Sequence, residues 1–198
     1  MKTISDNVIV IEMGEPLPPG TDDAIKILLV GTESIDSPTA DPNGPSTYDW
    51  QNKFIQGTTT VANPKDGLIM FKNAKYVIIN AKYIPVMTPN VSMPDNKELM
   101  NKYNWMLDMA NAADIIFCNI LKKTTSPIPL MEFGLFTPSQ KLVVRCPEAY
   151  PYFQLVKLIC ERNNIPLLQS KSTVKDVLFS AYSFCKRFQE LQKYQLPE

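Results

Sequence analysis

The chain contains no histidine. A Ser-His-Asp or Cys-His arrangement and a His-ligated metal site are therefore excluded, and acid–base work falls to carboxylates, Lys, Tyr or water. Among the carboxylates, Glu132 has the most suggestive setting. It lies in the segment Ser126-Pro127-Ile128-Pro129-Leu130-Met131-Glu132-Phe133-Gly134, which follows the apolar run Ile115-Ile116-Phe117-Cys118-Asn119-Ile120. That run is short, rich in apolar residues and bounded by polar ones, so it reads as a buried strand over 114–120. Ser126 then suits an N-cap and Pro127 a first helical position, predicting a helix over 127–137. Ile128, Met131 and Leu135 form an apolar stripe at helical spacing, with Glu132 on its edge. A carboxylate just past the carboxyl end of a parallel strand stands where α/β sheets open their ligand crevice. The plain alternative is a solvated Glu favoured by the helix dipole on an early turn.

The composition narrows what such a site could serve. A length of 198 residues suits one domain spanning 1–198, and 44% hydrophobic residues suffice for a core. Twenty basic and twenty acidic side chains balance to a formal charge of +0. This argues against a general nucleic-acid binder but leaves room for a small nucleoside or nucleotide held by pocket contacts. The cysteines Cys118, Cys146, Cys160 and Cys185 form no C-x-x-C pair and sit in apolar patterns. They read as buried free thiols in a reducing compartment, the cytoplasm. The first residues are polar, without a signal-peptide pattern, and no run approaches membrane-spanning length.

The elements that would position Glu132 follow from hydrophobic patterning. Val8–Ile11 reads as an edge strand or arm within 1–24. Ile25-Lys26-Ile27-Leu28-Leu29-Val30-Gly31 reads as a central parallel strand feeding a turn, followed by a long polar loop. Asp49-Trp50-Gln51 opens a helix that packs Trp50 and Phe54, and Thr59–Ala62 reads as the next strand, closed by Asn63-Pro64. The proline-broken region around 65–95 reads as an elaborated loop, with Tyr76–Asn80 and Tyr83–Met87 as extra strands. A capping box at Asp95 begins a helix whose face is Leu99, Tyr103, Met106, Ala110 and Ala113. A strand at 141–147, a helix at 151–163, a short strand at 165–168 and a C-terminal amphipathic helix over 171–194, capped by Thr173 and Asp176, complete the series. Alternating strands and helices predict an α/β parallel sheet flanked by helices. Neither a G-x-G-x-x-G fingerprint nor a P-loop occurs.

Taken in order, Val30-Gly31, Asp49-Trp50-Gln51, Asn63-Pro64, Trp105, Ala113-Asp114-Ile115-Ile116 and the Ser-Pro-Ile-x-Leu-Met-Glu-x-Gly block resemble the nucleoside 2-deoxyribosyltransferase-like family over roughly residues 25 to 165. The resemblance implies a flavodoxin-like fold, a homo-oligomer, and Glu132 as the nucleophile of an N-glycosidic transferase or hydrolase. In such chemistry an ionised carboxylate stabilises or traps an oxocarbenium-like sugar. No cofactor and no metal is called for. The substrate-binding set is Gly31 for close approach, Asp49, Trp50 and Gln51 with the last two for the base, and Asn119 and Ser126 for sugar hydroxyls. Trp50 equally suits core packing and Ser126 simple capping. Met106 stands where family transferases carry an acid, Ser126 where many carry an Asp, and Gln154 nearest an expected Asn; Asp108 is the available substitute acid. These departures keep two alternatives in view: a non-catalytic nucleotide-binding or sensing protein on the same fold, and an N-glycosidase acting on NAD-like nucleotides.

Overall fold

The computed structural model describes residues 1–32, 50–63, 74–81, 96–124, 126–169 and 171–183. Asp49, the pair Tyr83–Met87, the cap at Asp95 and the tail of the C-terminal helix fall outside them, as does the side chain of Leu99. Strands β1 (Lys2–Ser5), β2 (Val8–Glu12), β3 (Ile25–Gly31), β4 (Tyr76–Asn80), β5 (Ile115–Asn119), β6 (Leu142–Arg145) and β7 (Leu167–Leu168) form one sheet in the order β1-β2-β4-β3-β5-β6-β7. Among the described strands only the β1–β2 pair is antiparallel. The helices are α1 (Trp50–Ala62), α2 (Asn96–Ala112), α3 (Ile128–Phe136), α4 (Phe153–Arg162) and α5 (174–183).

Strands β4-β3-β5-β6-β7 follow the flavodoxin-like order, which reverses direction between β3 and β5. Successive residues of each strand serve opposite faces. Leu28, Val30, Val77, Ile79, Ile116, Cys118, Leu142 and Val144 pack with Met106 and Ala110 of α2, Phe133 and Phe136 of α3, and Val156 and Cys160 of α4. Ile27, Leu29, Ile78, Phe117 and Val143 pack with Trp50, Phe54 and Val61 of α1 and Val177, Leu178 and Ala181 of α5. Both faces being covered, the central strands carry near-continuous apolar runs rather than an alternation. The predicted cap of α5 forms as Asp176 Oδ2 accepts from the Thr173 backbone N–H at 2.6 Å and its hydroxyl at 2.9 Å.

Three expectations require correction. Thr59–Ala62 is the last turn of α1, not a strand. The β-branched run stays helical because Phe54, Thr58, Val61 and Ala62 bury one face of the helix; the hydroxyls of Thr58, Thr59 and Thr60 are accommodated by donating to the carbonyls of Phe54, Ile55 and Gln56 one turn back. Tyr76–Asn80 is no peripheral addition: β4 lies between β2 and β3 and is buried along its whole length. Val8–Ile11 is not at an edge either. That place belongs to β1, in the stretch read as polar, whose exposed face is what a sheet edge tolerates.

Gly31 stands where the neighbouring strand leaves no room for a side chain. It has φ +117°, and a Cβ there would lie 2.4 Å from the carbonyl oxygen of Asn119. Gly31→Ala is expected to cost roughly 3 kcal/mol or more, from steric overlap added to backbone strain. Chemical denaturation checks this; a loss below about 1 kcal/mol is inconsistent with the contact.

The thiols of Cys118, Cys146 and Cys160 are free and buried. Burial raises all three, Cys146 and Cys160 to about 12 from 9.0. Below pH 9 folded and unfolded chains both hold these protons. Above it the unfolded chain releases them first, so stability falls as pH rises. In a Cys185→Ser background the thermal midpoint is expected to hold from neutrality to pH 9 and fall between 9 and 12, where calorimetry can follow it.

Candidate functional site

The carboxyl ends of β3, β5 and β6 carry a row of three residues in direct register, Gly31, Asn119 and Arg145. The row spans the switch point between β3 and β5, where flavodoxin-like sheets bind ligands. Glu132 reaches this row from the first turns of α3. Its residue is 8% exposed, and its Oε2 accepts a hydrogen bond from the Gly31 N–H at 2.8 Å. Bonds of this charge-assisted kind contribute about 1.5–3 kcal/mol. Glu132 also raises the neighbouring Cys118 thiol, second to the effect of burial.

The helix carrying Glu132 does not face inward as its periodicity suggested. Pro129, Glu132, Phe133 and Phe136 are buried, whereas Met131 and Leu135 of the expected stripe are 65% and 49% exposed. The segment Ile-Pro-Leu-Met-Glu-Phe-Gly-Leu-Phe is apolar all round, so its sequence holds no orienting signal. The sheet beneath decides the rotation, and it turns Glu132 inward. The helix begins at Ile128, with Pro127 outside its first turn, and Ser126 Oγ accepts from the Ile128 N–H at 3.2 Å. The N-cap is therefore Pro127, which makes no side-chain cap bond, and Ser126, expected to be the cap, lies one residue earlier and is half-buried.

Asn119 is fully buried. Its Oδ1 accepts from Arg145 Nε at 2.8 Å, and its Nδ2 has no hydrogen-bond partner. A buried amide proton without an acceptor is rare in a folded protein. Gln51, in the first turn of α1, is 3% exposed and leaves its Oε1 in the same condition. Asn80, the last residue of β4 beside β3, likewise leaves its Oδ1 unpaired. One donor and two acceptors thus stand unpaired toward the carboxyl end of the sheet, the complement that a polar ligand supplies. Trp50 belongs to the core: it is 5% exposed, its ring meets Phe117 edge-on at 5.7 Å, and its indole N–H donates to the Thr32 carbonyl at 2.6 Å.

Two residues of this region escaped the sequence reading. Thr32 links three elements. Its N–H donates to the Asn119 carbonyl, and its hydroxyl accepts from the Leu121 N–H at 3.0 Å and lies 2.5 Å from the Thr124 hydroxyl. Nothing in its type marks it out. Arg145 had a visible signal, a lone charge at the carboxyl end of the apolar run Leu142-Val143-Val144. Two residues considered for base handling lie elsewhere: Met106 is 1% exposed in the core under α2, and Asp108 is exposed. Gln154 is exposed on α4.

Comparison with known proteins adds one finding. No curated protein matches the chain. The family model described as nucleoside 2-deoxyribosyltransferase like matches residues 46–150, which contain α1 to β6 and with them Gln51, Asn119, Ser126, Glu132 and Arg145. Over half its length, and through every element that supplies a side chain to the row above, the chain belongs to the nucleoside 2-deoxyribosyltransferase-like family.

Proposed function

We propose that the protein breaks the N-glycosidic bond of a (deoxy)nucleoside or nucleotide, with Glu132 as nucleophile. The observation that carries this reading is the buried Glu132 carboxylate held by the Gly31 N–H beside the β3–β5 switch point. One carboxylate oxygen is held by that bond, which fixes the position of the group at the strand end. The C1′–N bond of the substrate breaks with its electron pair leaving on the base, and the carboxylate attacks C1′ to give a glycosyl ester. A second base then displaces the ester in transfer, or water does so in hydrolysis. Asn119 Nδ2 and Gln51 Oε1 are the groups best suited to bind sugar and base, since both are buried and unpaired.

A non-catalytic nucleotide sensor is the second reading. It is favoured by the fate of the base-handling position, where Met106 is locked in the core. Among the described side chains of α2, the one acid, Asp108, is exposed, so none on the inner face would protonate the leaving base. Either reading accommodates a homo-oligomer, for which the exposed Met131 and Leu135 of α3 offer apolar surface.

Incubation with deoxyinosine and free adenine separates the readings. Exchange into deoxyadenosine supports transfer, free deoxyribose supports hydrolysis, and saturable binding without turnover supports sensing. Glu132→Gln keeps an acceptor for the Gly31 N–H and is expected to stay folded while turnover falls about 1,000-fold or more. Turnover preserved in that variant would remove Glu132 from the chemistry. Glu132→Ala should additionally destabilise the chain by about 1–3 kcal/mol, because it leaves the Gly31 N–H buried and unpaired.

A further inference from the structure

Among the described residues, Arg145 has no charged partner. Its side chain is partly buried beneath the end of the sheet, 5.6 Å from the centre of the Phe117 ring. Its Nε donates to Asn119 Oδ1, and its Nη1 donates to the Ser172 carbonyl at 3.2 Å. Both acceptors are neutral, and among the described residues no carboxylate lies within ion-pair distance of the guanidinium. Asp176, the acid nearest in sequence to this region of α5, is turned to Thr173 of its own cap. Burial lowers the Arg145 pKa, the mark of a desolvated charge. A buried cation without a counter-charge is costly, and proteins ordinarily pair it.

The guanidinium opens on a cleft of about 500 Å³ between α1 and α5. Trp50, Phe54 and Val174 give the cleft an apolar wall, and Lys53 and Lys175 add two exposed cations to its lining. Three positive side chains therefore converge on one hollow in a chain whose total formal charge is +0. We propose that this cleft binds a phosphate monoester, with Arg145 as the buried anchor and Lys53 and Lys175 at the mouth. The guanidinium fork suits phosphate oxygens, and the ammonium groups supply charge without fixed geometry. Arg145 lies two strands from Gly31, about 10 Å across the sheet, and Asn119 between them is hydrogen-bonded to Arg145. The phosphate comes either from the substrate itself, as a nucleoside 5′-monophosphate, or from a separate phosphorylated ligand. The first source rests on the N-glycosidic reading; the anion site does not.

Titration calorimetry on the full chain tests the site with inorganic phosphate, a deoxynucleoside and its 5′-monophosphate. The monophosphate is expected to bind at least tenfold more tightly than the nucleoside. Arg145→Gln should weaken it about 10- to 100-fold, the loss of one or two charge-assisted bonds. Arg145 also packs on Phe117, so Lys53→Gln/Lys175→Gln provides a second probe at exposed positions, with an expected loss of about five- to tenfold. Lys157→Gln on α4 is the control. Competition by inorganic phosphate against the monophosphate identifies the substrate's own phosphate as the occupant. Phosphate binding that leaves monophosphate affinity unaltered identifies a separate ligand. Equal affinity for nucleoside and monophosphate with no saturable phosphate binding overturns the proposal, as does a double lysine variant that binds phosphate like the parent. Glu132→Gln keeps the two ideas apart: it should bind phosphate normally, and its turnover bears on the nucleophile alone.

Discussion

A hydrogen bond between residues 101 positions apart, from the Gly31 N–H to the Glu132 carboxylate, organises the carboxyl end of this sheet. It requires the Gly31 amide to point out of the sheet toward α3, and the φ of +117° provides that orientation. It also requires the β3 and β5 backbones to touch so closely that no Cβ fits between Gly31 and Asn119. A side chain at Gly31 would separate the strands and remove the donor together. Glycine is needed here for steric room and for backbone conformation at once.

The surroundings lock this geometry from several directions. Thr32 continues β3 by donating to the Asn119 carbonyl, and its own carbonyl receives the Trp50 indole. The hydroxyl contact with Thr124 ties the end of β3 to the loop that enters α3. Below, Phe117 is packed by Trp50 edge-on and by Phe54 at 5.1 Å in a near-parallel stack. The polar row at the strand ends thus rests on an aromatic floor, and low local polarity strengthens every hydrogen bond above it. The Phe117 ring also lies 5.6 Å from the Arg145 guanidinium, on the α1 and α5 face of the sheet, opposite the face covered by α3.

Family membership and geometry bear on different parts of the problem. The matched segment, residues 46–150, starts before α1 and ends after β6, so it includes Glu132 and its neighbours on β5 and β6. Gly31, which supplies the hydrogen bond to Glu132, lies outside that segment. The pairing across the switch point is therefore a property of the tertiary arrangement. Met106 and Glu132 are both buried, the first within the apolar core and the second at the end of the sheet against the Gly31 amide.

Much of the fold was legible along the chain. The apolar runs at β3, β5 and β6 and the cap of α5 gave a parallel sheet with flanking helices, because buried strands and helix starts leave local signatures. Position within the sheet left no such signature. β4 reads as a peripheral strand among prolines, yet it lies beside β3, and β2 reads as an edge although β1 covers it. The threonine run of α1 resembles a strand, yet burial of one face by Phe54, Thr58, Val61 and Ala62 keeps it helical. The same division holds for the site. Sequence excluded histidine chemistry, left acid–base work to carboxylates, Lys, Tyr or water, and offered Glu132 as the candidate carboxylate. Which way Glu132 points could not be read from a helix apolar on every side. Only the packing of α3 against β3 and β5 decided it, because burying Phe133 and Phe136 carries Glu132 to the Gly31 amide.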